Sequence, residues 1–282
     1  MPSLDRRLHA FRPDLADRRL ESQVNAGRFI DGRLARVAVG VLDLKRAPDP
    51  AAGLDTQLLL GAAVRIFDEV GGWAWVQAEA DGYVGYCHAA SLGETLPASH
   101  RVIAPRTFLY PGPDMKLPRA GECSMGAAFA VEEWAETRGT RYARLASGQW
   151  AVAQHLAKAG EGAGDFVDIA ERLLGTPYLW GGASGFGIDC SGLVQLSLAM
   201  TGQGVLRDTD MQAATIGEPV EPGELRRGDL VFWPGHVGIM RDRDTLIHAN
   251  GHTMDVALEP LTVAVARIGY LYGEPSAYRR PQ

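Results

Sequence analysis

The sequence predicts an α+β protein: two small β-barrels followed by one compact α+β unit. Three observations carry this. Between about Arg36 and Pro97, five short runs rich in Val, Ile and aromatics alternate with Gly and Asp-Gly turns, which is the rhythm of a small barrel. The rhythm then recurs, with GAAVRIFDEV starting at Gly61 answered by GAAFAVEEWA at Gly126, and GYVGYCHAASL ending at Leu92 answered by GQWAVAQHL ending at Leu156. The two offsets differ by about one residue, as expected of a duplication. After residue 164, helical and strand patterns mix within one stretch.

Residues 1–36 read as an N-terminal helical arm. Leu15, Leu20, Val24 and Phe29 have roughly helical spacing, and Pro13 and Gly32 punctuate it. Residues 37–97 form the first expected barrel and 98–160 the second. The small-residue stretch AKAGEGAG (157–164) reads as a flexible hinge. In the expected unit 161–282, DFVDIAERLLG has apolar residues at Phe166, Ile169, Leu173 and Leu174 and a capping Gly175, hence a helix. CSGLVQLSLAMTG (190–202) is a second helix. DLVFW, HVGIM and TLIHAN read as strands, and RIGYLYG as a fourth.

Composition narrows the function classes. Apolar residues make up 46% of the 282 and charged ones 22%, as in a soluble globular protein. A net charge of −6 argues against a broad nucleic-acid surface. No run reaches the roughly 18–20 apolar residues of a membrane span, and the charged start has no signal-peptide core, so the expected location is cytoplasmic. Cys87, Cys123 and Cys190 cannot all pair and form no C-x-x-C, so neither a disulfide framework nor a metal site is expected.

Cys190 stands apart from the other two. It follows the glycine-dense loop YLWGGASGFGID at the start of a helix, where free N–H groups and the helix dipole favour a thiolate. A buried, inert thiol is the commoner fate of a cysteine, and Cys87 and Cys123 fit it. A nucleophilic thiol needs a positioned imidazole. His236 lies at the head of HVGIM after a Pro-Gly turn, and His248 lies 12 residues on in TLIHAN. Adjacent antiparallel strands bring such a pair side by side, so that His248 orients His236.

These motifs, GTPYLWGG, GIDCSGLVQ, LRDTDMQ, RRGDLVFWPGHVGIM and LIHAN in this order, resemble the NlpC-type cell-wall peptidases, which are circularly permuted papain-like enzymes. The two preceding repeats are similar to bacterial SH3-like barrels found in the subgroup that cleaves short murein peptides. The resemblance implies a γ-D-glutamyl-L-diamino acid endopeptidase acting on L-Ala-γ-D-Glu-diamino acid peptides with a free N-terminal amine. It needs no metal or cofactor. Cys190 is then the nucleophile, His236 the base, His248 the third polar residue and Tyr178 an oxyanion donor or a packed loop aromatic. Asp189 and Ser191 are implied to bind the substrate's ammonium, with Asp189 also able to serve as a helix cap. Thr209 stands where the family commonly has Ser, and Leu206 where it has Pro. Arg207 either meets a substrate carboxylate or buttresses its loop. Trp180 walls the cleft or lies in the core, and Tyr83 or Tyr86 of GYVGY closes one end of the cleft. Two rivals are an exported hydrolase of intact wall and a decayed, purely wall-binding protein. The complete Cys190, His236 and His248 set argues against the second.

Overall fold

The computed structural model describes residues 4–94, 96–162 and 164–282. Residues 1–3 of the expected arm and Ala163 of the expected hinge lie outside them. The chain divides into two compact units, Met1–Glu161 and Gly162–Gln282.

Residues 4–36 do not form a helical arm. Among these described residues the only helix is the three-residue 3-10 turn Arg18–Leu20. Side chains hold the backbone in short local turns: Asp5 accepts from the Arg7 N–H, and Asp17, the N-cap of the 3-10 turn, accepts from the Arg19 N–H. Pro13 has no N–H to give. Two-residue strands Ala16–Asp17 and Phe29–Ile30 pair instead, and Arg33–Val37 joins the following sheet. Ala10 and Leu15 anchor the segment by packing on Phe67 and Trp75.

The rest of the first unit is sheet. Its first half forms one seven-stranded sheet, and its second half a five-stranded and a three-stranded sheet. None of these sheets closes on itself among the described residues, so the observed architecture is sheet-rich rather than a closed barrel. Alternation places Val37, Leu42, Leu44, Val64 and Val76 in one core and Val102, Leu109, Leu145 and Ala151 in another. The duplication reappears in the hydrogen bonds. Val37 donates to Ala62 and accepts from Gly61, just as Val102 donates to Ala127 and accepts from Gly126. Both glycines have φ near +85 to +89°. A Cβ on Gly61 would lie 1.8 Å from the Ala128 carbonyl oxygen, which only glycine permits.

The second unit carries helices α1 (Phe166–Arg172), α2 (Cys190–Met200), α3 (Thr209–Thr215) and α4 (Leu261–Tyr272). They surround a six-stranded antiparallel sheet running Glu218–Pro219, Ala277–Arg280, Leu230–Trp233, His236–Met240, Thr245–Asn250, Asp255–Pro260. Val231, Trp233, Met240 and Leu246 meet Ala264 and Ile268 of α4 on one face. The intervening Leu230, Phe232, Val237 and Ile239 point the other way and are also fully buried.

RIGYLYG is the last part of α4, not a strand. Leu261, Ala264, Val265 and Ile268 share a helical stripe against the sheet, which outweighs the local apolar-polar alternation of 267–273. Gly273, at φ +87°, ends the helix. The strand that follows it, Ala277–Arg280, pairs with Leu230–Trp233.

Candidate active site

Asp189 fixes where α2 begins. Its carboxylate accepts from the Gly192 N–H at 2.7 Å as an N-cap, and from the Gly181 N–H at 2.9 Å in the preceding loop. Close packing of loop on helix requires glycine at two points. A Cβ on Gly192 would sit 2.3 Å from the Gly182 carbonyl oxygen, and one on Gly182 would sit 2.5 Å from that of Gly187. Cys190, first residue of α2, is thereby held with Sγ 3.9 Å from the Gly235 carbonyl oxygen and 3.9 Å from Thr209 Oγ1. Thr209, the first residue of α3, thus stands beside the thiol. Gln212, which sequence reading passed over, ties α3 to α2 by donating to the Ser191 carbonyl at 3.0 Å.

The two histidines meet across neighbouring strands, with His236 Nε2 2.9 Å from His248 Nδ1. His236 faces Trp233 across the hairpin and is partly open, while His248 is fully buried. On the far side of His248, Nε2 lies 3.1 Å from Glu259 Oε2. Glu259 is itself gripped by Arg267 of α4 at 3.0 and 2.7 Å. Neither residue was legible as part of a site.

Tyr178 is half-buried on the loop ahead of α2, its N–H bonded to the Met254 carbonyl at 2.9 Å. Burial, and then the neighbouring Cys190, push its phenol up. Trp180 is 68% exposed, so the core alternative does not hold for it. Tyr83, expected to close one end of the cleft, is packed in the first unit's core beside Val76 and Cys87. Tyr86 accepts from Arg12 and lies over Trp75.

The decisive match concerns this second unit: residues 175–267 fit the NlpC/P60 family, and residues 44–92 fit the bacterial dipeptidyl-peptidase Sh3 domain. The C-terminal unit belongs to the NlpC/P60 family. Dipeptidyl-peptidase 6 of Lysinibacillus sphaericus is 27% identical over 77% of this chain and 87% of its own length. Gamma-D-glutamyl-L-lysine dipeptidyl-peptidase of Bacillus subtilis is 28% identical over 75% of this chain and 77% of its own. The crystal structure of an NlpC/P60 family protein from Bacillus cereus shares the fold, with a TM-score of 0.73 at 24% identity over 88% of this chain and 99% of its own. The chain is therefore a cysteine peptidase with an SH3 domain ahead of its catalytic unit.

The NlpC/P60 thiol is not depressed by its helix, contrary to the expectation from sequence. Burial, then the adjacent Asp189 carboxylate, push Cys190 up to about 11, against the Val237 N–H, Thr209 and Arg207. Burial and the facing His248 push His236 down to about 3. Both shifts run toward the uncharged form, thiol for Cys190 and neutral imidazole for His236. Burial likewise pushes the Cys87 and Cys123 thiols up to about 12.

Arg207 buttresses the site. Only 1% exposed, it donates to both Asp189 oxygens at 3.0 and 2.7 Å, to Ser191 Oγ at 2.7 Å and to the Gly182 carbonyl at 3.2 Å. Asp189 is therefore already paired, and Ser191 is part of the same buried network. Arg207→Met is expected to destabilise the protein by about 3–5 kcal/mol, the cost of leaving one partner of a buried pair alone. Urea unfolding measures this, and a loss below about 1 kcal/mol would contradict the buttress.

Proposed function

We propose that the protein is an endopeptidase that hydrolyses the γ-D-glutamyl–diamino acid bond of murein peptides with a free N-terminal L-alanine. The observation that carries this reading is Cys190 at the head of α2, against Gly235, with the bonded His236–His248 pair following directly. The Bacillus relatives named gamma-D-glutamyl-L-lysine dipeptidyl-peptidases support the substrate class, and a dipeptidyl-peptidase counts two residues from a free amine.

In this mechanism the thiol proton passes to His236 as Sγ bonds to the γ-glutamyl carbonyl carbon. Tyr178 and the Cys190 N–H receive the oxyanion, each donor contributing about 3–4 kcal/mol. His236 returns the proton to the leaving amine as the C–N bond breaks. Water then adds to the thioester and releases the dipeptide, regenerating the thiol. Thr209 and Trp180 line the substrate's path, while Asp189 and Ser191 meet its ammonium within the network that Arg207 holds. Residues 37–97 and 98–160 are two copies of one SH3-like module, a reading supported by the repeated bonds around Val37 and Val102.

The test is mass spectrometry of products from L-Ala-γ-D-Glu-diaminopimelate and its lysine counterpart, beside N-acetylated versions. Free peptides are expected to release L-Ala-D-Glu. Acetylation is expected to lower kcat/KM by about 10–100-fold, the range of one charged hydrogen bond. Varying the amine is cleaner than Asp189→Asn, which would also break the Arg207 pair. Equal cleavage of free and acetylated peptides would overturn the amine requirement and favour an enzyme that trims intact wall.

A further inference from the structure

We propose that Glu259, clamped by Arg267, is a positioning residue that selects the tautomers of both histidines and so leaves Nδ1 of His236 bare to act as the base. A neutral imidazole has one N–H and one lone pair, and the hydrogen bond at one nitrogen decides the role of the other. His248 is fully buried, with His236 Nε2 at one nitrogen and Glu259 Oε2 at the other. An ionised carboxylate only accepts. His248 therefore keeps its single proton on Nε2, toward Glu259, and offers the Nδ1 lone pair to His236. His236 must then carry its own proton on Nε2, and its remaining nitrogen, Nδ1, has the free lone pair.

The opposite arrangement is catalytically dead. With its proton on Nδ1, His248 would donate to His236 Nε2, and the His236 proton would be forced onto Nδ1, where it blocks uptake from the thiol. The two arrangements contain the same number of hydrogen bonds between the rings, so something outside the pair has to choose. Buried His248 Nε2 makes no regular hydrogen bond among the described residues, and the carboxylate oxygen Glu259 Oε2, 3.1 Å away, is what it faces. Arg267 does two things: it fixes the carboxylate bidentately, and it holds Glu259 below the usual carboxyl range so that it stays an acceptor.

Register explains the placement. His248 pairs with Ala257 and Leu246 with Glu259 across the last two strands, so Glu259 is a diagonal same-face neighbour of His248. The charged and titratable groups facing the pair are Glu259 from that strand, Arg267 from α4 and His252 from the intervening turn.

The inference rests on His236 being the base, and its first test needs neither substrate nor substitution. Nitrogen-15 NMR of histidine-labelled wild-type protein near pH 7 is expected to show both rings neutral and protonated on Nε2. A proton on Nδ1 of either ring would overturn the proposal whatever the substrate proves to be. The second test is Glu259→Gln, followed by kcat, KM and the pH profile. The expected result is a loss of about 10–100-fold in kcat, part of the range for a general base, with KM nearly unchanged and Glu259→Asp restoring part of the rate. The acid limb of kcat/KM is expected to move to lower pH, because a negative charge that favoured the imidazolium is gone. A purely structural role would loosen the packing and move that limb up toward the ordinary histidine value. That upward move, or a kcat within about twofold of wild type, would contradict the proposal.

Discussion

Cys190→Ser is expected to lower kcat by about four orders of magnitude or more, while leaving the unfolding midpoint nearly unchanged. One atom changes, and the contacts of Sγ with Thr209 and Gly235, both at 3.9 Å, are long enough for a smaller oxygen to enter without strain. What fails is proton transfer. A serine hydroxyl is far less acidic than a thiol, and His236 is already a weakened base because burial holds its imidazolium down to about 3. Cys87→Ala and Cys123→Ala are the controls. Both side chains are buried in the sheet cores of the first unit, and their loss is expected to cost some stability and little turnover.

His236→Ala is expected to lower kcat by about 10²–10⁴-fold, the usual worth of general acid–base catalysis, and His248→Ala by clearly less. The difference follows from their positions. In the proposed mechanism His236 exchanges the proton with the thiol and the leaving amine, whereas His248 acts only through His236, by way of the 2.9 Å bond. The wild-type acid limb of kcat/KM is expected below the ordinary histidine pKa of about 6.5. Protonation of His236 removes the base, and burial and His248 oppose that protonation. Full pH–rate profiles of the three proteins check both points, and equal losses at His236 and His248 would mean that their roles are wrongly assigned.

The parts of this site that could be read from sequence are those that sit at the junction of two elements. Cys190 ends a glycine-dense loop and begins a helix, His236 follows a Pro-Gly turn, and His248 falls in the next strand. Local signals suffice for such positions. Glu259 and Arg267 carry none. They come together because the last strand lies against Thr245–Asn250 and α4 folds back over it, so their relation to His248 exists only in three dimensions. The same segment misled the reading of secondary structure, since 267–273 alternates like a strand while its helical stripe depends on residues further back. The N-terminal residues show the converse error. Apolar spacing there suggested helix, but Asp5 and Asp17 hold the local backbone donors in turns. Arg207 admitted two readings in sequence, and its burial against Asp189 and Ser191 selects one.

The central claim is that Cys190 forms the covalent acyl-enzyme. Its most direct test is to quench wild-type protein in acid during turnover of L-Ala-γ-D-Glu-diaminopimelate and map the peptides by mass spectrometry. The expected result is an L-Ala-γ-D-Glu acyl group on the peptide containing Cys190, none on those containing Cys87 or Cys123, and none anywhere in Cys190→Ala. Sustained turnover by Cys190→Ala, or an acyl group on any other residue, would contradict it.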